Sequence, residues 1–537
     1  MNNNENISMT AQDMNKVQNV KKTKSLSRTA ASVGSMTFIS RIFGFIRDMI
    51  CAHVFGASPA YDAFLVAFKI PNFLRRLFAE GAFSQAFIPI LSDYRMNKDK
   101  NATQILIDNT CGILALVLAI ITVLGIIFAP YIARIYAPGF DADGERYDLV
   151  VYMLRITLPY IFLISLTAFI SSVLNTYDRF VIPAITPVLL NISLIIGALF
   201  FTDYVSQGVI ALAWAVTIGG VLQLIFQLPF IARIRHFPKF SLTGDLPGVK
   251  LILSKMAPAL FGVSVAQISL LFDTVFASFL PKGSVTWLYY SDRLMQFPLG
   301  IFGVALATVV LPHLSRAYAK DDLTKFSFSV DWALRVVFLI ATPAALGLFL
   351  LSEPLLISLF NYGKFTQFDV IQAGASLKAY SLGLLAFIFI KILASAFYAQ
   401  KNTKTPVKIA AVSMVSNIIL SLILMQFLQH VGLALAVSIS SVLNAFLLML
   451  YLYKQQVFKF QSGWVDFLLK MLFANLIVFL AAAYLSPSIA VWFEMKVMMR
   501  ILSLFSLIIF YGVSYFIVLH LIGFKVKRFL LVEHENY

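Results

Sequence analysis

The chain alternates between long apolar segments and short polar ones. Each apolar segment runs for about 20 residues or more, without the strict alternation of a membrane β-strand. A helix satisfies its own backbone hydrogen bonds in hydrocarbon, so segments of this length cross a bilayer as α-helices. The pattern predicts an all-α polytopic membrane protein with about fourteen transmembrane helices, at 31–54, 60–90, 103–134, 147–174, 181–203, 207–233, 248–280, 284–313, 327–352, 372–399, 405–428, 431–453, 464–485 and 494–523.

Short motifs recur along the chain at a nearly constant offset. Four anchors follow one another in the same order: Pro89-Ile-Leu-Ser and Pro312-His-Leu-Ser, Asn175-Thr and Asn402-Thr, Gly208-Val-Ile-Ala and Gly432-Leu-Ala-Leu, and Val221-Leu-Gln and Val442-Leu-Asn. They predict two six-helix lobes in parallel repeat, 27–235 (TM1–6) and 248–455 (TM7–12), followed by two further helices at 464–523 (TM13–14). Parallel repeats imply a pseudo-twofold axis along the membrane normal, with a central path between the lobes.

Composition agrees with a membrane protein. Hydrophobic residues make up 60% of the chain, charged residues only 13%, and the mean hydropathy is +0.84. A soluble domain carries about twice that share of charge, roughly 25%. The net charge of +16 comes largely from Lys and Arg in alternate loops, the pattern of cytoplasmic loops rather than of nucleic-acid binding. An even span count places both termini in the cytoplasm, with a disordered tail at 1–26 and a second tail at 524–537.

Several charges lie inside apolar segments, where each costs about 2.5–3.5 kcal/mol at mid-bilayer. They concentrate in the first, second and eighth predicted spans. The cations are Arg41, Arg47, Lys69, Arg75, Arg76 and Arg293, and the acids are Asp48, Asp62, Glu80 and Asp292. Along the second span, Lys69, Asn72, Arg76 and Glu80 form one helical stripe.

Two interpretations of these charges stay open. In the first, they pair off as Arg47 with Asp48, Arg76 with Glu80, and Arg293 with Asp292. Adjacent residues on a helix do not face each other, so two of these three pairs are poor. In the second, six cations against four acids leave two positive charges in a hydrated cavity that receives an anion. Arginine's planar fork suits phosphate oxygens, and several arginines suit a pyrophosphate.

Four stretches of the chain resemble the MurJ (MviN) family of lipid II flippases. They read SRIFGFIRD (40–48), DAFLVAFKIPNFLRRLFAEGAFSQAFIPI (62–90), WLYYSDRLMQFP (287–298) and KTPVKI (404–409). The resemblance extends over about residues 27–530. It implies a fourteen-helix, two-lobe member of the multidrug, oligosaccharidyl-lipid and polysaccharide exporter superfamily. The implied function is to move undecaprenyl-pyrophosphoryl disaccharide-pentapeptide (lipid II) from the cytoplasmic to the periplasmic leaflet.

The resemblance also implies which residues bind the substrate. The cavity arginines of the family match Arg41, Arg47, Arg75 and Arg293. Other polar cavity positions of the family match Asp62, Lys69, Asn72, Glu80 and Thr286, and the stripe adds Arg76. At one position the chain departs from the family pattern: it has Gln296 where a relative has Glu, so this position carries no charge here.

A second polar group lies in the C-terminal half. Asp273 stands alone in span seven, Asn417 and Ser421 are one turn apart in span eleven, and Ser438 lies in span twelve. These oxygens form a candidate coupling site for sodium or a proton. The alternative is a hydrogen-bonded contact between helices. We expect no other cofactor and no metal centre.

Other functions fit the sequence less well. A cation-coupled multidrug or polysaccharide exporter of the same superfamily would favour an acidic cavity, and a non-transporting cell-wall scaffold would have no use for buried arginines. No Walker A or His-Glu-x-x-His motif is present, so we expect no enzyme and no catalytic residue. The expected partners are lipid II, membrane lipids and possible cell-wall synthesis proteins, with no nucleic acid. TM13–14 form either a groove for the lipid tail or a plain lipid-facing surface.

Overall fold

The computed structural model describes residues 11–76, 83–140 and 144–525, without the side chains of residues 11–31, 74, 257–267 and 304. The described residues are almost entirely helical and contain no strand, which confirms the predicted all-α class. The helices are α1 (Ala11–Phe55), α2 (Pro59–Arg75), α3 (Phe83–Asn97), α4 (Lys100–Ile127), α5 (Ala129–Tyr136), α6 (Glu145–Thr157), α7 (Pro159–Thr176), α8 (Val181–Ile185), α9 (Pro187–Phe200), α10 (Ile210–Arg233), α11 (Leu246–Ser278), α12 (Ser284–Pro298), α13 (Val304–Ala319), α14 (Leu323–Leu350), α15 (Ser352–Leu359), α16 (Gln367–Ala399), α17 (Lys404–Lys454), α18 (Trp464–Leu485), α19 (Ile489–Glu494) and α20 (Val497–Leu521).

Ten helical stretches in the described part of the chain are long and apolar enough to cross a membrane. One of them, α17, contains two predicted spans, which a single non-helical residue separates at Gln429 (φ 50°, ψ −130°). Proline sets other breaks: α7 begins at Pro159 and α9 at Pro187, because proline suits the first turn of a helix and disrupts its interior. The number of crossings, fourteen, stays a prediction.

The chain divides into two compact units. The first contains 1–50, 70–127 and 155–260, and the second contains 51–69, 128–154 and 261–537. Two segments of the predicted N-lobe therefore group with the second unit, and the lobe boundaries stay a prediction. Helix α1 begins at Ala11, inside the segment expected to be a disordered tail, while residues 1–10 and 526–537 lie outside the described part.

In the first unit, α7 packs against α3, α4 and α10. Phe83, Phe87 and Phe169 form the aromatic centre of this core, with ring centroids of Phe87 and Phe169 at 5.4 Å. In the second unit, α16 contacts α12, α13, α14, α15 and α17. The C-terminal helices α18 and α20 pack on α14 through an apolar cluster that includes Leu339 and Tyr515. The short helices α15 and α19 were not predicted.

Equivalent positions of the two repeats can be compared through their helix ends. Pro89 lies inside α3 and Pro312 inside α13, 223 positions later, as their shared motif predicts. The two Asn-Thr pairs do not occupy equivalent positions. The pair at 175–176 ends α7, whereas the pair at 402–403 follows the end of α16. The equivalent residues are Asp178 and Lys401, 223 apart, which both adopt left-handed backbone after their helices (φ 61° and 59°).

Candidate functional site

Arg47 is held by two side chains of the first unit. Its Nε and Nη2 both donate to Asp48 Oδ1, at 3.0 and 2.6 Å, and its Nη1 donates to Asn191 Oδ1 at 3.0 Å. The expectation that Arg47 and Asp48 pair poorly is therefore wrong. That rule concerns the direction of Cβ atoms, and the long arginine side chain curls back to reach its neighbour. The formal excess of two cations is unchanged, because Asp48 was already counted among the acids.

The remaining candidates of the first unit lie on α1 and around the end of α2. Asn72 Oδ1 accepts from Arg75 Nε at 2.9 Å, as their spacing of three residues on α2 allows. Arg41 is exposed, and Arg75 and Arg76 are half-buried. The prediction for Glu80 lies outside the described residues.

Asp62, in the second unit, is almost fully buried and binds the start of α12. Its Oδ2 accepts from the backbone N–H of Gly283 at 2.6 Å, and its Oδ1 accepts from the N–H of Thr286 at 2.9 Å and from the Thr286 hydroxyl at 2.6 Å. A helix leaves its first N–H groups without partners, and a side chain usually caps them. Here that side chain comes from α2.

The local sequence explains why α12 needs a distant cap. Gly283, at its N-cap position, has φ +96°, and a Cβ there would lie 2.8 Å from the Trp287 ring. Glycine is the residue that fits this geometry, but it has no side chain to cap the helix. Asp62 supplies the missing acceptor and meets the positive end of the helix dipole. Asp62 and Thr286, both predicted to bind substrate, are thus bonded to each other.

The other candidates of the second unit have polar neighbours. Lys69 Nζ donates to Thr274 Oγ1 on α11 at 3.0 Å. On α12, Arg293 is half-buried, and the exposed Gln296 donates to Asp292 one turn earlier. Gln296 therefore contacts an acid of its own helix.

Part of the predicted coupling site is assembled. Asn417 Nδ2 donates to Asp273 Oδ1 at 2.9 Å and to Ser269 Oγ at 3.3 Å. Asn417 Oδ1 and Ser421 Oγ are buried and make no hydrogen bond within the described part of the chain. Ser438 differs, because its hydroxyl donates to the carbonyl of Ala379 at 2.8 Å. Asp273 is thus bonded to Asn417, and the buried Ser421 hydroxyl lies one helical turn further along α17.

Three partners were missed by the sequence analysis: Asn191, Thr274 and Ser269. They are uncharged residues in apolar helices, and each contacts a charged or polar candidate from another part of the chain. Their signal was present, since a polar side chain in a membrane helix normally hydrogen-bonds across helices. This signal did not single out these three residues, because many other uncharged polar residues lie in the same helices.

Comparisons with known proteins agree on one family. The family described as "Lipid II flippase MurJ" matches residues 51–503. A "Probable lipid II flippase MurJ" of Buchnera aphidicola subsp. Schizaphis graminum is 42% identical over 504 residues, covering 94% of this chain and 98% of the relative. A "Lipid II flippase MurJ" of Burkholderia cenocepacia is 42% identical over 513 residues, covering 94% and 99%.

Solved structures give the same result. A structure titled "Lipid II flippase MurJ, inward closed conformation" matches with a TM-score of 0.79 at 29% identity, covering 92% of this chain and 99% of that one. An inward-facing multidrug transporter of the MATE family matches with a TM-score of 0.67 at 15% identity, covering 80% and 98%, which shows a shared fold alone. This chain, a multi-span membrane protein, belongs to the MurJ family of lipid II flippases.

Proposed function

We propose that this chain moves lipid II from the cytoplasmic to the periplasmic leaflet of a bacterial inner membrane, with both termini in the cytoplasm. The observation that carries the proposal is the family match over residues 51–503. The polar head of the cargo crosses in a hydrated cavity while the polyprenyl tail stays in lipid, and the two repeats alternate between inward-open and outward-open states. No covalent step is needed, so the proposal includes no catalytic residue.

The charges on the described helices support an anionic cargo. Arg47 is about nine-tenths buried, and Asn191 and Asp48 hold its guanidinium in one orientation. A positioned guanidinium can present its fork to phosphate oxygens with little further loss of entropy. Arg41, Arg75 and Arg293 would provide the other contacts to the pyrophosphate, and Lys69, Asn72, Arg76 and Gln296 contacts to the rest of the head group.

The test is the leaflet in which lipid II accumulates in cells that depend on this chain. We expect depletion, Arg47→Ala and Arg293→Ala to trap the precursor in the cytoplasmic leaflet at normal protein level. Arg233→Ala is the matched control, because Arg233 is exposed at the end of α10 and stacks on Phe230 of its own helix. Normal export by either of the first two variants would contradict the proposal.

The same assay separates two alternatives. A multidrug or polysaccharide exporter would leave the leaflet distribution of lipid II unchanged on depletion and would instead lose export of its own cargo. A scaffold that recruits cell-wall synthesis proteins would tolerate the arginine substitutions. The arginines favour the flippase over both alternatives.

We further propose that Asp273, Asn417 and Ser421 form the site that couples transport to sodium or protons. The support is the part-buried contact between Asp273 and Asn417, together with Asn417 Oδ1 and Ser421 Oγ, which make no hydrogen bond to any residue that the structure describes. We expect Asp273→Asn to abolish the dependence of transport on the ion gradient. Ser438→Ala is the control and should retain it, because the Ser438 hydroxyl is bonded to Ala379. Equal loss in both variants would exclude the site.

The C-terminal helices have a proposed role of their own. Helices α18 and α20 each expose large apolar side chains, among them Leu469, Leu476, Phe505 and Ile509. We propose that this surface holds the polyprenyl tail of the cargo. Substituting Leu476 and Phe505 by Ala should weaken binding of the full-length lipid, while binding of a short-tailed analogue stays unchanged.

A further inference from the structure

The segment that connects α10 to α11, residues 234–245 (linker 1), is bound to α4 of the first unit. Asp108 Oδ1 accepts from the backbone N–H of Lys239 at 2.8 Å. Gln104 Nε2 donates to the carbonyl of Phe237 at 3.0 Å and to Asp108 Oδ1 at 2.7 Å. The polar first turns of α4 thus take up backbone groups that an irregular segment would otherwise leave to water.

His236 fixes the beginning of linker 1. Its buried ring lies between Gln104 Oε1, 2.9 Å from Nδ1, and the Tyr177 hydroxyl, 2.7 Å from Nε2. Because Gln104 uses its amide N–H groups elsewhere, Nδ1 is the donor and Nε2 accepts from Tyr177. Burial, then the positive charges of Lys100 and Arg95, lower the pKa of His236, and Asp108 opposes them.

The end of linker 1 is held as well. Asp245 Oδ1 accepts from the N–H of Gly248 in the first turn of α11, at 2.9 Å. The hydroxyl of Tyr94 on α3 bonds to the same carboxylate, which raises the pKa of Tyr94 to about 12. Linker 1 therefore joins α3 and α4 to the start of α11.

The segment that connects α17 to α18, residues 455–463 (linker 2), is bound to α14 of the second unit in the same way. Asp331 Oδ1 accepts from the backbone N–H of Gln461 at 3.1 Å and from Trp464 Nε1 at 2.6 Å. The Ser327 hydroxyl accepts from the N–H of Lys459 at 2.9 Å and lies 3.2 Å from its carbonyl. Linker 2 therefore joins α14 to the start of α18.

The two sets of contacts occupy equivalent positions of the repeat. Asp331 follows Asp108 by 223 positions, and Gln461 follows Lys239 by 222. The second residue of each linker also adopts left-handed backbone, Arg235 (φ 60°) and Gln456 (φ 57°). Neither residue is glycine, so the surrounding contacts must stabilise this backbone.

A further pair of equivalent positions shows two solutions to the same packing problem. A Cβ on Gly112 of α4 would lie 2.0 Å from the carbonyl oxygen of Ser241, so linker 1 rests directly on the helix. The position 223 residues later is Arg335 of α14. Its Nη2 donates to the carbonyls of Gln461 and Ser462, at 3.2 and 2.8 Å. One repeat removes the side chain to admit the linker, and the other uses a long one to hold it.

We propose that Asp108 and Asp331 are equivalent positioning residues. Asp108 holds linker 1 against α4, and Asp331 holds linker 2 against α14. Each linker leads directly into the next transmembrane helix, α11 or α18. A bound linker makes that helix move with α4 or α14, and a released linker lets it move independently. The effect on transport rests on the proposed function, whereas the effect on the linkers does not.

The first test is hydrogen–deuterium exchange of the full-length protein in lipid nanodiscs. We expect Asp108→Ala to raise exchange of the linker 1 amides by about tenfold or more and to leave linker 2 unchanged, with the reverse for Asp331→Ala. Asp108→Asn keeps one acceptor oxygen and should restore most of the protection. Asp93→Ala is the matched control, because Asp93 is exposed and accepts from Asn97 in its own helix. Protection equal to that of the wild type in both Ala variants would overturn the proposal.

The second test measures lipid II transport and lipid II binding by the same variants. We expect Asp108→Ala and Asp331→Ala to lower the transport rate about fivefold or more without weakening binding. Gly112→Ala should also lower the transport rate, because its Cβ displaces linker 1 while Asp108 stays intact. This variant tests the role of linker 1 if the Asp108 and Asp331 variants do not accumulate. A wild-type transport rate in a variant whose linker amides exchange faster would overturn the positioning role. Absence of lipid II transport by the wild type would instead contradict the proposed function, and exchange would still decide whether the carboxylates hold the linkers.

Discussion

Removing the carboxylate of Asp62 should destabilise the second unit at one known place, the start of α12. In Asp62→Ala, the N–H groups of Gly283 and Thr286 and the Thr286 hydroxyl lose their acceptor together. The site is buried, since Asp62 is 1% exposed and Thr286 0%. Gly283 has no side chain to take over the cap, so the loss is not compensated locally.

The magnitude follows from the three donors. A buried donor without a partner costs about 1–3 kcal/mol, so the sum is about 3–9 kcal/mol. Water that enters the space of the lost carboxylate would bring the measured value toward the lower limit of about 3 kcal/mol. Thr286→Val removes one donor and keeps the shape, so it should cost about 1 kcal/mol. Thr286→Ser keeps all three hydrogen bonds and should be the mildest change.

The assay is unfolding by sodium dodecyl sulfate in mixed micelles, followed by tryptophan fluorescence. Trp287, one of five tryptophans, lies in the first turn of α12 and donates to Asp369 Oδ1 at 2.9 Å, so it contributes a signal from this helix to the emission. We expect midpoints in the order wild type, Thr286→Ser, Thr286→Val and Asp62→Ala, from highest to lowest. A midpoint of Asp62→Ala equal to that of the wild type would refute the capping role, as would a Thr286→Ser variant as unstable as Asp62→Ala.

Three further predictions concern other contacts. The pKa of His236 is lowered in the fold, so as the pH falls below about 6.5 the imidazole is protonated more readily when linker 1 is released than when it is bound, and binding of linker 1 weakens. Exchange of the linker 1 amides, corrected for intrinsic rates, should therefore rise from pH 7.5 to 5.5 in the wild type but not in His236→Gln. Trp464→Phe removes one donor to a buried carboxylate and should lower the free energy of unfolding by about 1–2 kcal/mol in the same micelle titration. Gly383→Ala would place a Cβ 2.6 Å from Ser438 Oγ and should cost about 1–3 kcal/mol, whereas Gly347→Ala, with nothing within 4 Å, should cost nothing measurable.

The helical segments could be predicted because hydrophobicity and proline act locally. The motif around Pro89 and Pro312 identified equivalent helices, since the same local chemistry recurs at the same place in each repeat. Short helices between the predicted spans were harder to predict. The break at Gln429 lies between the predicted spans 405–428 and 431–453, whereas the short helices α15 and α19 were not predicted.

The partners of the charged residues could be predicted less well. Asp62 was recognised as an unusual charge in an apolar segment, but its partner Gly283 lies 221 residues away and contributes only a backbone N–H. Every residue except proline has such a donor, so the sequence gives no sign of which one is used. Arg47 and Asp48 show a different difficulty, because the flexibility of arginine overrides the direction of its Cβ.

A charge in a membrane helix therefore has two distinct explanations, and the structure separates them by the type of partner. Asp62, Asp108 and Asp331 accept hydrogen bonds from backbone N–H groups at a helix start or a linker, so they stabilise the parts of the chain where regular structure is interrupted. Arg47 and Lys69 instead contact the side chains of Asn191 and Thr274. Backbone groups cannot leave their partner without local unfolding, whereas side chains can exchange a neighbour for a ligand. The cationic side chains are accordingly the better candidates for contacts to the cargo, and loss of transport in an Asp62 variant would report first on α12, the helix that carries Arg293.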